Sequence, residues 1–565
     1  MTGPVRLKEE VRLEALSFVP QPMVSWLSPR QLGRSAAEVV ISGLFGKFSD
    51  KRELQTWKQE PFDHRAEELW VDFASDTGDG FHPTSTVAWS LSRERLTVGE
   101  TELPRADVLV LGGDQVYPSA GRRAYEDRFI GPYSGALPVV EPEESAPWLY
   151  ALPGNHDWYD GLTSFLRVFC QERWIGGWRT GQQRSYFALR LPEPWWLWAV
   201  DIQFDTDVDE LQLDYFRAAA DEMGDGNRLL LLTAKPSWLS SEYRPESYRN
   251  LAYIERKLVP QGVTVAATLT GDVHHYNRYV LEGDAPPSVP RQRITAGGAG
   301  AYTSPTHTLP PDLPLPREPW GRAQEGQPDC YVRRAEYPQA PVSKGLANGV
   351  VLATLRTRPF AALLGGLYAL LAAAMLAAIG GGAHEHSWTE LPGEAIGGAS
   401  VVLALLVVAA LSGYADFRHP LAKLAVGVAH AAPHVAFALT ALWAVSRIVT
   451  GDTAVWFAAI PGAALTGAVA GSLVFGLYLL LVHRTRGARA PSHTNEAFAG
   501  QGLTSHKCFL RLHVKRNGPV TVHAVGIDEA CEDWTVVDEG GRTRIVPAAC
   551  REPGARPIEP AFELP

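Results

Sequence analysis

The sequence predicts an α/β domain of strands alternating with loops and helices, interrupted before its end by an all-α membrane domain of four helices. Three observations predict it. Apolar strand-like segments between residues 65 and 305 end in acidic or glycine-rich turns, four long runs between Phe360 and Val482 lack Asp, Glu, Lys and Arg, and 565 residues are too many for one ordinary domain. The 52 Lys+Arg set against 62 Asp+Glu give a net charge of −10, which excludes a general nucleic-acid binder, so no nucleic-acid polymer is expected as a partner. Five cysteines (Cys170, Cys330, Cys508, Cys531, Cys550), none in CxxC spacing, exclude a disulfide framework and a thiolate zinc site, and suit a reducing compartment.

The soluble elements come first. Glu68 to Ser75 (ELWVDFAS) runs into Asp76, and Ala106 to Leu111 (ADVLVL) runs into Gly112, Gly113 and Asp114. Trp148 to Leu152 (WLYAL) leads to Pro153, Gly154 and Asn155; Val263 to Thr270 (VTVAATLT) leads to Gly271, Asp272, Val273, His274 and His275. Strands that deliver carboxylates, an amide and imidazoles to glycine-opened turns build ligand sites at their C-terminal ends, and four such deliveries imply one convergent site. Oxygen and imidazole donors together suit Mn, Fe or Zn. Two metals a few ångströms apart would clamp a phosphate ester and lower the pKa of an attacking water.

The membrane runs are Phe360 to Gly382, Ala395 to Ala415, Leu424 to Ser446 and Thr453 to Val482. Each is about 20 residues or longer, enough to cross roughly 30 Å of hydrocarbon. Arg356 and Arg358 precede the first, Arg418 and Lys423 lie in the second loop, and Arg484, Arg486 and Arg489 follow the last, whereas the loop His384 to Glu394 has no Lys or Arg. This alternation places both polar flanks on the cytoplasmic side of a cell (inner) membrane. The opening MTGPVRLKEEVRLEALSF lacks the apolar core of a secretory signal. His430 and His434, four apart on the third run, admit two readings: polar contacts inside the bundle, or a metal, haem or proton-relay role.

In order along the chain, Asp76-Thr77-Gly78, Gly113-Asp114-Gln115-Val116-Tyr117, Gly154-Asn155-His156-Asp157 and Gly271-Asp272-Val273-His274 resemble the calcineurin-like metallophosphoesterases. GNHD is the most specific element, and the DxG and GDxxY forms resemble the purple-acid-phosphatase branch. The resemblance covers roughly residues 65 to 305 and implies a four-layered αββα sandwich. It implies that Asp76, Asp114, Tyr117 and His274 hold one metal, that Asp114 bridges, and that Asn155 and Asp272 hold a second. His156 would protonate the leaving oxygen or stabilise transition-state charge, with Asp157 orienting its ring. Two departures stand out. Leu229 to Thr233 (LLLLT) is followed by Ala234, Lys235 and Pro236 with no His, and Asp272 replaces the first imidazole of the usual GHxH. Lys235 is either a solvated strand-end lysine or an ammonium that meets the substrate phosphate directly.

Asp79, with His82 nearby, is the reserve for Asp76, because only strand register separates Asp72, Asp76 and Asp79. The stretch Arg173, Trp174, Trp178, Arg179, Gln183 and Arg184 is either a packed loop or a surface for a phosphate-bearing headgroup, with Arg184 as the substrate-binding candidate. Lys507 to Val514 and Val520 to Val525 flank Asn517-Gly518, a hairpin signal, and a lone hairpin must pack on something larger. The expected organisation is a covering segment (1–64), a catalytic domain (65–345), four transmembrane helices (358–484) and a hairpin tail on the catalytic domain (485–565). The expected function is a membrane-anchored hydrolase of a phosphate mono- or diester, lipid-linked or nucleotide, acting through metal-activated water at a cytoplasm-facing dinuclear site. The alternative is a catalytically degenerate domain serving as a membrane sensor or scaffold.

Overall fold

The computed structural model describes residues 17–34, 59–202, 208–240, 245–317, 319–320, 328–379, 398–415, 417, 419–450, 452–486, 493–538, 541–548 and 552–565. The chain divides into one unit of Ser25–Arg34 with Pro341–Gly502 and another of Thr2–Val24, Ser35–Ala340 and Leu503–Pro565.

The second unit is built on two mixed sheets, one of eleven strands and one of nine, with several helices. In the larger sheet Glu68–Ala74, Val108–Leu111 and Trp148–Ala151 are parallel neighbours, with Ala74 opposite Leu111 and Leu111 opposite Ala151. Their near-continuous apolar sequences suit strands buried on both faces. Parallel pairing sends all three C-terminal ends to one edge, where Asp76, Asp114 and Asn155 leave the sheet. In the nine-stranded sheet Trp195–Val200, Arg228–Thr233, Thr264–Thr270 and Gln292–Ala296 are likewise parallel, ending at Asp201, Ala234, Gly271 and Gly297.

Leu69, Val71, Phe73, Val108 and Val110 of the larger sheet share a buried core with Leu197, Leu230, Leu232, Leu269 and Ile294 of the smaller. The alternate residues face elsewhere, as a period of two requires. Leu109, Leu111 and Leu149 pack with Val87, Leu91 and Phe165, while Trp198, Leu229 and Leu231 pack with Phe216, Leu251 and Ile254. At about 1.5–3 kcal/mol for each fully buried large side chain, these clusters are the main favourable term in folding.

The C-terminal hairpin is more than a covering tail. Its strand Lys507–Lys515 pairs with Val520–Ile527 on one side and with Glu68–Ala74 on the other, Leu510 opposite Phe73 and Leu512 opposite Val71. Asn517 supplies the left-handed turn at φ 56°. Inside this sheet Arg511 donates Nε to Asp72 Oδ1 and Nη2 to Asp72 Oδ2, both at 2.7 Å, and neither residue reaches solvent.

Among the described residues of the other unit, three helices are long and apolar enough to cross a membrane: Arg358–Ala377, Pro420–Ile448 and Thr453–Thr485. The second of the four expected runs is described from Gly398 onward, as the 17-residue helix Gly398–Tyr414, and residues 380–397 lie outside the described part. Leu367, Leu370, Leu405, Leu406, Phe437, Phe457 and Leu465 point outward and are exposed, a surface that suits lipid rather than water. Helices meet at small residues, as where Gly467 lies against Tyr368. His434 Nδ1 lies 2.8 Å from Tyr368 Oη, and His430 stacks on Tyr478 at 4.1 Å.

Candidate active site

Asp76, Asp114 and Asp272 stand just beyond the strands Glu68–Ala74, Val108–Leu111 and Thr264–Thr270, and all three have left-handed backbones, at φ 62°, 49° and 66°. A non-glycine residue there costs of order 1–3 kcal/mol and persists where the surroundings enforce it. Here the turns are laced together. Asp76 N donates to Gly113 O at 2.9 Å, Thr77 N to Asp114 O at 3.0 Å, and Tyr117 N to Gly78 O at 3.1 Å. Asp272 N donates to Asp76 Oδ2 at 2.9 Å, which ties an arm of the smaller sheet to an arm of the larger.

The side chains converge on the Tyr117 hydroxyl. It donates to Asp76 Oδ1 at 2.8 Å and to Asp114 Oδ2 at 3.4 Å, and lies 3.1 Å from His274 Nε2, itself 3.5 Å from Asp76 Oδ1. All four residues are buried. Burial, then repulsion among Asp76, Asp114 and Asp272, pushes the Asp76 and Asp114 carboxyl groups well above the usual carboxylate range. Burial also holds the His274 imidazole well below its ordinary value, so the ring is neutral and able to act as a ligand.

Among the described residues, no group of three or more His, Cys, Asp or Glu side chains is disposed to hold a metal ion. The chemistry of the donor set nevertheless fits one cation: two carboxyl groups and a neutral imidazole, each within 3.5 Å of the Tyr117 phenol, whose buried carboxyls a cation would let ionise. The residues expected around a second cation are less gathered. Asn155 donates Nδ2 to Tyr159 Oη at 3.1 Å, and Asp272 is joined to the cluster through its amide and through repulsion of the Asp76 and Asp114 carboxylates.

His156 opens the short helix Asn155–Trp158, and its amide donates to Asp114 Oδ1 at 2.8 Å. The chain can pass this close because residue 154 is glycine, where a Cβ would fall 2.0 Å from that oxygen. The His156 ring donates Nδ1–H to Pro118 O at 2.6 Å and lies 4.4 Å from the Tyr117 ring. A carbonyl only accepts, so this bond selects the tautomer that leaves Nε2 with its lone pair. Asp157 is buried and accepts from Tyr125 Oη at 2.5 Å, Gly154 N at 2.9 Å and Gln115 N at 3.3 Å, so it braces the GNHD turn while Pro118 holds the imidazole.

The register ambiguity of the first motif is settled by partners. Asp72 pairs with Arg511, and Asp79 accepts from Val24 N at 2.9 Å and Tyr302 N at 3.2 Å, leaving Asp76 at the cluster. Lys235 is half-buried beyond Arg228–Thr233; its neighbour Ala234 accepts from Gly271 N at 3.0 Å, which puts that strand end beside the Asp272 turn. Arg184 is buried with its guanidinium 5.9 Å from the Tyr186 ring, and its amide donates to Gln59 Oε1 at 3.1 Å; no hydrogen bond described here joins it to the cluster.

Two residues at the site escaped sequence reasoning. Tyr302 meets His274 edge-on at 4.4 Å and 82°, and it ends the run Gly297-Gly298-Ala299-Gly300-Ala301 beyond strand Gln292–Ala296, the same glycine-after-strand signal that marked the other turns. Lys507, with its ammonium buried, opens an apolar strand and gives no such signal.

Among solved structures, the chain is similar to GAP50, the anchor in the inner membrane complex of Plasmodium (TM-score 0.31, 12% identity, 42% of this chain and 74% of that one). It is also similar to the purple acid phosphatase PPD1 from yellow lupin (Lupinus luteus) seeds, with a TM-score of 0.28 and 13% identity over 43% of this chain and 46% of that one. A third is PhoD, with a TM-score of 0.28 and 11% identity over 42% of this chain and 57% of that one. No family model and no curated protein matches the chain.

Proposed function

We propose that the protein is a membrane-anchored, metal-dependent phosphoesterase whose hydrolytic centre is the Tyr117 cluster. The observation that carries this reading is the convergence of Asp76, Asp114 and His274 within 3.5 Å of the Tyr117 hydroxyl, at the ends of strands from two sheets. Asp76, Asp114, Tyr117 and His274 would hold one cation, and Asn155 and Asp272, with Asp114 shared, a second. Bound Mn, Fe or Zn supplies positive charge toward a phosphate ester and makes water acidic enough to attack near neutral pH. His156 donates a proton to the leaving oxygen from Nε2 when protonated, with Nδ1 anchored on Pro118 O. Lys235 and Arg184 add positive charge for the phosphate. The packing of sheet on sheet, with helices on the remaining faces, supports the four-layered αββα arrangement.

The placement of both polar flanks on one side of the membrane has its own support. Strand Lys507–Lys515, after the apolar helices, pairs with Glu68–Ala74, before them. Strands of one sheet lie on one side of a bilayer, so the number of crossings between them is even. Among the described residues three helices are long enough, an odd number, and Gly398–Tyr414, about 25 Å at 1.5 Å per residue, supports a fourth crossing. Tethering favours a substrate at the bilayer, a lipid-linked phosphate or a nucleotide signal.

Two observations favour the degenerate sensor or scaffold. The Tyr117 hydroxyl already donates to Asp76, and no His follows Leu229–Thr233. Metal content of the detergent-solubilised protein, with hydrolysis of p-nitrophenyl phosphate and its bis-ester under added Mn, Fe and Zn, separates the two. About two metals per chain with metal-dependent turnover is expected of the enzyme. Zero or one metal without turnover sinks it in favour of the scaffold.

A further inference from the structure

The chain reaches strand Lys507–Lys515 only after its apolar helices, yet this strand buttresses a turn that closes the candidate site. The turn is Gly297–Ser304, beyond strand Gln292–Ala296. One side of it grips the site. Ala299 N donates to Ser75 O at 2.9 Å, Ala301 N to Asp76 O at 2.8 Å, and Ser304 N to His274 O at 3.1 Å. Tyr302 N donates to Asp79 Oδ2 at 3.2 Å while its ring abuts His274 at 4.4 Å.

The other side rests on the C-terminal segment. Cys508 N donates to Gly298 O at 3.0 Å, and a Cβ at Gly298 would come within 2.6 Å of Cys508 Sγ, so the two backbones are as close as glycine allows. Thr303 N donates to Leu503 O at 3.2 Å and its hydroxyl to Ser505 O. Lys507 Nζ donates to Ala301 O and, at 3.3 Å, to Thr303 Oγ1. Burying an ammonium is costly unless its donors are used, and a methionine would fill the same length without that cost. What lysine adds is a bond to the carbonyl of the residue whose amide holds Asp76.

We propose that Lys507 is a positioning residue for the candidate active site: its ammonium clamps Ala301 and Thr303, so that the turn fixes the Asp76 backbone and sets the Tyr302 ring against His274. The consequence for catalysis rests on the phosphoesterase reading; the clamp itself does not. The test uses full-length, metal-free protein in detergent, treated with diethyl pyrocarbonate and read residue by residue by mass spectrometry, with a parallel Mn titration followed by electron paramagnetic resonance. In Lys507→Met, His274 modification should rise about tenfold as the turn loosens. His64, hydrogen-bonded to Tyr150 instead, should keep its wild-type rate. Mn affinity should fall about tenfold, as when supporting bonds around a ligand are removed. Unchanged His274 labelling overturns the proposal, and so does an equal rise at His274 and His64, which would mean general loosening. If Lys507→Met does not fold, Thr303→Val is read by the same two criteria, with a smaller rise expected. A wild type that binds no Mn and cleaves no p-nitrophenyl phosphate defeats the phosphoesterase reading, while the His274 labelling still decides the role of Lys507.

Discussion

Asp114 is buried beside Asp76 and within reach of the Asp272 charge, a placement that costs stability and is explained by chemistry rather than packing. Asp114→Asn removes a carboxyl whose ionisation burial and the Asp272 charge oppose, and retains an oxygen to accept from the His156 amide. Turnover should drop at least a hundredfold, about 2.7 kcal/mol of barrier, while the metal-free protein melts a few degrees higher. A melting point that falls together with activity would make Asp114 a folding residue. His64 gives a pH prediction away from the site. Burial, against the pull of Asp63, lowers its imidazole to about 4. The unfolded chain takes up the proton below about 6.5 while the folded chain stays neutral, so stability is full above 6.5 and is lost as pH falls toward 4. The loss is on the order of 3 kcal/mol. Denaturation of wild type and His64→Asn between pH 7 and 4 should show the variant with the flatter curve.

Among the elements, strand Lys507–Lys515 matters most, because it sits between the start of the chain and its end in one sheet. The Arg511–Asp72 pair marks that junction. Arg511→Ala leaves a buried carboxylate uncompensated and should cost about 3–5 kcal/mol, whereas the double change Arg511→Met with Asp72→Leu should recover most of it. Urea unfolding of full-length variants checks this, and a double variant as unstable as the single one would refute the ion-pair account. Hairpin and turn were both legible in the residues: Asn517-Gly518 between apolar alternations, and four acidic or amide turns after strands. Which strand the hairpin joins was not, because pairing depends on which faces remain to be buried once other strands are in place. The partner of the His156 ring was not legible for a related reason. Adjacent residues on a turn point different ways, and the backbone carbonyl that holds His156 leaves no trace in side-chain identity.

Across the whole molecule, one sheet recruits strands from both sides of the apolar helices in the chain. A cytoplasmic placement predicts that Cys330, exposed and unpaired, reacts with an impermeant maleimide in inside-out vesicles and not in right-side-out ones, measured in a Cys550→Ser background. The reverse pattern would put the catalytic unit outside.

By itself the sequence determined the local facts: apolar runs long enough for hydrocarbon, strands that end in ligand-type residues, and the turn signal at Asn517-Gly518. These follow from short-range periodicity and turn chemistry, which neighbouring residues settle among themselves. Only tertiary structure decided that Asp76 rather than Asp72 or Asp79 faces Tyr117, that Pro118 holds His156, and that Lys507 reaches Ala301 from 206 residues away. Those outcomes depend on strand register and sheet order, which are fixed by how many side chains can be buried together, a property of the assembled core.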